Sequence, residues 1–96
     1  MNKKAILEKI KSQKNFLKKE YGVKTIGVFG SVVQGKDTIE SDVDILVEFE
    51  TPVGFFEFIK LEDFLSGMLE KKVDLISKKA VKPAVRKEIF SEVVYV

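Results

Sequence analysis

The sequence has no cysteine and no histidine among its 96 residues. The first absence removes disulfides and thiolate nucleophiles. The two together remove zinc sites of the usual nitrogen and sulfur type. Without histidine there is no Ser-His-Asp set, and neither a GxxxxGK[ST] loop nor a GxGxxG turn occurs. Hydrolase, P-loop and dinucleotide-binding readings therefore find no support. No apolar run approaches the roughly 18 residues of a membrane span, and no signal-peptide pattern precedes the lysine-rich start. Asparagine, glutamine and methionine are scarce beside abundant lysine and glutamate, a balance that leans toward a heat-adapted source.

What is present fits a globular domain. A hydrophobic content of 45% with charges of both signs argues against disorder and against a fibrous chain. The expectation is one domain over residues 1–96, soluble and cytoplasmic, with no membrane contact. The net charge of +2 hides an uneven distribution. Residues 1–24 carry eight lysines against Glu8 and Glu20, whereas residues 37–50 carry six acids and no base. The lysines suit a solvated helix face. A pI near 8.8 is too mild to imply direct nucleic-acid binding, and none is expected.

The apolar pattern predicts alternating helices and strands. Ile6, Ile10, Leu17 and Tyr21 fall at helical spacing within a helix over 2–21, which Gly22 ends. A strand over 24–29 follows, then a short helix from Ser31 to Gln34 that Gly35 terminates. Residues 36–41 form a polar loop and 42–50 a second strand. A helix over 54–70 carries Phe58, Leu61, Leu65, Met68 and Leu69 on one stripe. Its aromatic run Phe55-Phe56-Phe58 suits a face packed on the sheet better than a base-stacking surface. Residues 72–76 form a third strand. A last helix over 80–90 has Val81, Ala84, Val85 and Ile89 inward and Pro83 in its first turn. The apolar tail Val93-Val94-Tyr95-Val96 either joins the sheet edge or meets another chain. The class is α/β: one small mixed sheet with helices packed against it.

One constellation carries chemistry. Gly30-Ser31 closes the first strand, and Asp42-Val43-Asp44 opens the second ten residues later. Residues two apart in a strand share a face, so Asp42 and Asp44 project together with Leu46 and Glu48, while Val43, Ile45, Val47 and Phe49 face the core. Paired carboxylates repel unless a cation or proton lies between them. Mg²⁺ prefers such oxygens and often takes substrate phosphates as further ligands. A strand-to-helix turn offers unpaired N–H groups to a phosphate, Gly30 permits close approach, and the Ser31 hydroxyl adds a donor. The ordinary alternatives are a Ser-Asp turn for the acids and a serine N-cap for Ser31. Asp74 lies among Val73, Leu75 and Ile76, where a lone charge needs a cation or a partner such as Lys72. Lys36, Lys60, Lys78 and Gln34 could touch a triphosphate, and spacing singles out none. Glu48 lies more than about 10 Å along the strand and suits a solvated edge charge.

The segment GSVVQGKDTIESDVDILVEF resembles the signature of the nucleotidyltransferase superfamily that includes DNA polymerase β, most closely its minimal branch, the MNT proteins. Gly30, Ser31, Asp42 and Asp44 meet the pattern, and Gly35, Ser41 and the chain length agree with it. One departure is Val33-Gln34, where the family often carries Ala-Arg; it bears on any phosphate contact the arginine would make. The resemblance implies a polymerase β-like fold in which Gly30 and Ser31 hold the nucleotide's terminal phosphates. Asp42, Asp44 and Asp74 would hold two Mg²⁺ ions, with Asp74 also helping to activate the attacking hydroxyl. The substrate would be ATP. The chain has no spare residues for an acceptor domain, and the resemblance implies that the acceptor is a separate HEPN toxin in a hetero-oligomer. The MNT antitoxin attaches AMP to a tyrosine of that toxin and so blocks its RNase activity. A binding-only antitoxin with little or no catalysis is the alternative, and transfer to a small molecule is a third.

Overall fold

Period-two alternation in the strands and period-3.6 stripes in the helices both resolve into one sheet with helices on its two faces. The computed structural model describes residues 2–36 and 42–96. Of the expected polar loop, residues 37–41 lie outside the described residues, Ser41 among them. The elements are α1 (Lys3–Ser12), α2 (Lys14–Tyr21), β1 (Val23–Phe29), α3 (Ser31–Gln34), β2 (Val43–Phe49), α4 (Phe55–Leu69), β3 (Val73–Ser77), a 3-10 turn (Lys78–Ala80), α5 (Pro83–Glu92) and β4 (Val94–Tyr95). The sheet order is β3-β2-β1-β4. The β2–β3 pair is parallel, and β1 is antiparallel to both β2 and β4.

One face of the sheet carries the main core. Ile26, Val28, Val43, Ile45, Val47, Val73 and Leu75 meet Ile6 and Ile10 of α1, Leu17 of α2, and Leu61, Leu65 and Leu69 of α4. Each such side chain, fully buried, contributes roughly 1.5–3 kcal/mol. Tyr21 and Phe64 extend this core, and the exposed Phe16 stands against both, with ring centroids 5.1–6.2 Å apart.

The opposite face has its own smaller core. Leu46 is 1% exposed there, grouped with Phe29 and Val81 and flanked by Ile76, Ile89, Phe90 and Val93. The face that alternation assigned to Asp42 and Asp44 is thus charged at its two ends and apolar in the middle, where α5 covers it. Gly27 makes room for this cover: a Cβ there would stand 2.8 Å from Val93 Cγ2 and 2.9 Å from the Val94 carbonyl oxygen.

The chain itself guards the β3 edge and extends the sheet beyond β1. On β3 the amides of Val73 and Leu75 donate to Ser66 Oγ and Glu62 Oε2 of α4, at 3.2 and 3.1 Å. That occupies donors which an edge strand would otherwise present to another chain. On β1 the apolar tail supplies β4, and the Val96 amide donates to the Ile26 carbonyl at 3.0 Å.

Three expectations need correction. The first helix is two helices, since Gln13 ends α1 and its carbonyl accepts from the Leu17 amide at 2.8 Å. Apolar spacing tolerates such a break. A straight helix over 2–21 would run about 30 Å, against a molecule of 33 × 30 × 20 Å. The last helix starts at Pro83, so Val81 precedes it; Ala84 and Val85 are exposed while Ile89, Phe90 and Val93 turn inward. Phe55 and Phe56 are 72% and 75% exposed, so only Phe58 of that run reaches the core.

Candidate active site

The site forms where β1 ends and β2 begins. Antiparallel pairing sets Phe29 opposite Asp44, so the Gly30 turn comes to rest beside the Asp44 carboxylate. Gly30 has φ +78° and ψ −151°, a region open essentially to glycine alone. A Cβ at Gly30 would overlap Asp44 Oδ2. The glycine thus serves two local needs, its backbone conformation and the space for a carboxylate. Ser31 is the first residue within α3 and Gly30 holds the cap position, so Ser31 is not the ordinary N-cap.

Parallel pairing brings in the third acid. Asp44 is the register partner of Asp74, one strand spacing away, about 4.8 Å. Asp42, two residues before Asp44, shares that face. Gly30, Asp44 and Asp74 therefore form a row across three chain segments, with Asp42 at its edge. Lys72 Nζ lies 3.9 Å from Asp42 Oδ2, with side-chain exposures of 81% and 44%, so this ion pair contributes little. Lys72 accordingly faces Asp42, and Asp74 is exposed.

Asp44 registers the crowding. Its carboxyl pKa is pushed up from 3.8 to about 6, first by burial and then by the charges of Asp74, Asp42 and Glu92. An acid so placed gains from a proton or a metal cation.

Glu92 escaped the sequence reading. It is the last residue of α5, and its carboxylate accepts from the Gly30 amide at 3.0 Å and from Gln34 Nε2 at 2.7 Å. Gln34, which stands where the family pattern has arginine, is therefore engaged within the chain. No local motif marks Glu92. The only available signal was an acid at the end of a helix followed by an apolar strand.

The remaining candidates lie elsewhere. Glu48 sits on β2, an interior strand, and is half-buried, so it is not an edge charge. It accepts from Thr25 Oγ1 at 3.3 Å and faces Lys78 Nζ at 3.9 Å. Lys78 also lies 5.7 and 5.8 Å from the ring centres of Phe90 and Tyr95. Beside it opens a cleft of about 320 Å³ lined by Phe49, Pro52, Val53, Phe55 and Phe58, at the opposite end of β2 from the aspartates. Lys60 borders a different cleft, with Tyr21 and Glu57. Lys36 is exposed just past Gly35.

Among the described residues, no group of three or more acids could hold a metal ion by itself. The donor chemistry still suits Mg²⁺. Asp42 and Asp44 offer hard oxygens on one face, Asp74 stands in register, and Asp44 is short of positive charge. Mg²⁺ commonly takes one or two carboxylates and completes its shell with water and substrate phosphates.

Comparison with known proteins agrees with this geometry. The nucleotidyltransferase domain family matches residues 10–96. The protein adenylyltransferase MntA of Thermococcus cleftensis is 45% identical over 94 residues, covering 94% of this chain and 95% of the relative. A solved structure provisionally described as a minimal nucleotidyltransferase superposes with a TM-score of 0.83 at 26% identity, over 98% of this chain and 95% of the other. A complex of a tri-AMPylated Shewanella oneidensis HEPN toxin with its MNT antitoxin shares the fold alone, with a TM-score of 0.63 at 16% identity over 91% and 70% of the two chains. Fold, sequence and motif agree: the chain belongs to the nucleotidyltransferase domain family, in its minimal branch.

Proposed function

We propose that this nucleotidyltransferase transfers AMP from ATP to a tyrosine of a partner HEPN toxin, with Mg²⁺, and thereby acts as an antitoxin in the cytoplasm. The domain carrying this activity would be residues 1–96 as a whole. The observation that carries the reading is Asp44, pressed against Gly30 and flanked by Asp74 and Asp42, with a carboxyl pKa of about 6. Folding stability alone gives no reason to gather like charges there. The relative named a protein adenylyltransferase supports AMP as the transferred group. The tri-AMPylated HEPN toxin held by an MNT antitoxin supports a toxin as acceptor. Among the described residues no helix is long and apolar enough to cross a membrane.

In the reaction, the acceptor hydroxyl forms a bond to the α-phosphorus of ATP, and the bond from that phosphorus to the β-bridging oxygen breaks. Pyrophosphate leaves with the electron pair, and the hydroxyl proton passes to a neighbouring carboxylate or to water. Asp42, Asp44 and Asp74 would hold the two Mg²⁺ ions, which when bound neutralise the triphosphate and stabilise the attacking and leaving oxygens. The chain's own work is positioning. Gly30 and Ser31 would take the terminal phosphates, and the rigid β1–β2–β3 row would keep the three carboxylates in register. Because Asp44 must shed its proton to bind a cation, Mg²⁺ affinity should weaken as pH falls through about 6.

The test is to incubate the protein with its HEPN partner, ATP and Mg²⁺ and to weigh the partner by mass spectrometry. An increment of one AMP per modified tyrosine is expected, and Asp42→Asn should abolish it. Neutralisation of the toxin with no increment would instead support a second reading, a binding-only antitoxin. What favours that second reading is Gln34, a neutral side chain already bonded to Glu92.

A further inference from the structure

Among the described residues, Glu92 is the one carboxylate at the site that the transfer chemistry does not use. Its two oxygens take two donors from a single turn, the Gly30 amide at 3.0 Å and Gln34 Nε2 at 2.7 Å. That is how an oxyanion would be gripped, and here the oxyanion belongs to the chain. The arrangement sets a fourth acid close to three others, where repulsion opposes it. Among the described residues, those two hydrogen bonds are the attractive contacts that hold it there. Gln34 is neutral, so it holds the carboxylate without an ion pair and can exchange it for another anion. Glu92 is also the final residue of α5, anchored on one side by Ile89 and Phe90 and on the other by β4. Its side chain can swing away without unpacking the helix.

We propose that Glu92 is a built-in occupant of the phosphate cradle, holding the Gly30 and Gln34 donors until a nucleotide triphosphate displaces it. The proposal rests on the nucleotidyltransferase reading of the site. It makes nucleotide affinity a competition between an internal carboxylate and an external phosphate, so Glu92 lowers affinity without taking part in transfer. Removing it should tighten triphosphate binding on the order of tenfold, the factor that 1.4 kcal/mol represents.

The experiment is calorimetric titration of the whole chain with a non-hydrolysable ATP analogue and, separately, with inorganic triphosphate, each with Mg²⁺. Glu92→Ala should bind both about tenfold tighter than wild type. The isosteric Glu92→Gln, which keeps the packing and removes the charge, should fall between them. In wild type, the amide resonances of Gly30 and of the Gln34 side chain should shift together as triphosphate is added. Unchanged or weaker binding by both variants, with wild type binding normally, overturns the Glu92 assignment and leaves the nucleotidyltransferase reading standing. Absence of triphosphate binding in wild type and in both variants overturns the two together.

Discussion

Strand β2 carries acids of the same face at both its ends, and the protein treats them in opposite ways. At the far end Glu48 accepts from Thr25, faces Lys78 across 3.9 Å, and borders an aromatic cleft. Its charge is answered. At the near end Asp44 meets Asp74, Asp42 and Glu92, and among the described residues the one cation in contact with the group, Lys72, is solvent-exposed beside Asp42. Its charge is left standing. Between them Leu46 lies buried beneath α5 and isolates the two ends. The same strand can therefore support an ordinary structural ion pair and a cluster of unmatched carboxylates some 13 Å apart along four residues. Selection for stability would produce the first kind of end; the second makes sense as a place for something brought from outside.

The comparison can be broken at its hinge. Leu46→Ala, a truncation of a side chain 1% exposed, should cost about 2–5 kcal/mol in denaturant unfolding and loosen both ends together. Were the loss near zero, α5 would not be holding the ends apart. Next in size, Gly30→Ala should cost roughly 1–3 kcal/mol, because the new methyl meets Asp44 at a positive φ. Transfer should fall to background in the same variant.

The sharpest contrast lies in two neutralising substitutions of opposite sign. Asp44→Asn should stabilise the metal-free protein at neutral pH, because it removes a half-buried charge among like charges. Solvent screening of that side chain limits the gain to about 1 kcal/mol. The pH dependence follows from a carboxyl raised from 3.8 unfolded to about 6 folded. Below about 4 both states are protonated and the variant gains nothing. From there to about 6 the folded wild type binds the extra proton, so its stability falls as pH rises; above 6 the variant's full gain is present. Thermal melts at pH 3.5, 5 and 7.5 would read this, and millimolar Mg²⁺ should stabilise wild type while leaving Asp44→Asn unmoved. Glu48→Gln should act the other way, a loss of no more than about 0.5 kcal/mol at pH 7, as Lys78 loses its partner. If both substitutions moved stability in the same direction, the two ends would not differ as argued.

Legibility followed sequence distance. Helix α3, bounded by Ser31 and Gly35, was readable to the residue because a glycine turn and a glycine stop are local chemistry. The Asp42–Asp44 pair was readable because alternation in a strand is local too. Glu92 was not, because its partner Gly30 stands 62 residues earlier and no periodicity links them. The exposure of Phe55 and Phe56 was equally hidden, since helical spacing says which residues share a stripe and not where the sheet beneath them stops. Glu62 and Ser66 are polar residues that no motif marks; their service to the β3 edge exists only once α4 lies along it.

By itself the sequence determined the order of the elements from β1 to β3, the two faces of β2 and the Gly30 turn, and together with the family resemblance it nominated Asp42, Asp44 and Asp74. The first three follow from residue type and short-range period, which the chain carries before it folds. Only the tertiary structure decided that Asp44 and Asp74 stand in register and that Gly30 yields its space to Asp44. Likewise it decided that Glu92 takes the donors of the Gly30 turn and that the tail pairs with β1. Those facts depend on strand pairing and on where α5 lands, set by burial summed over the whole molecule and not by any one segment's preference.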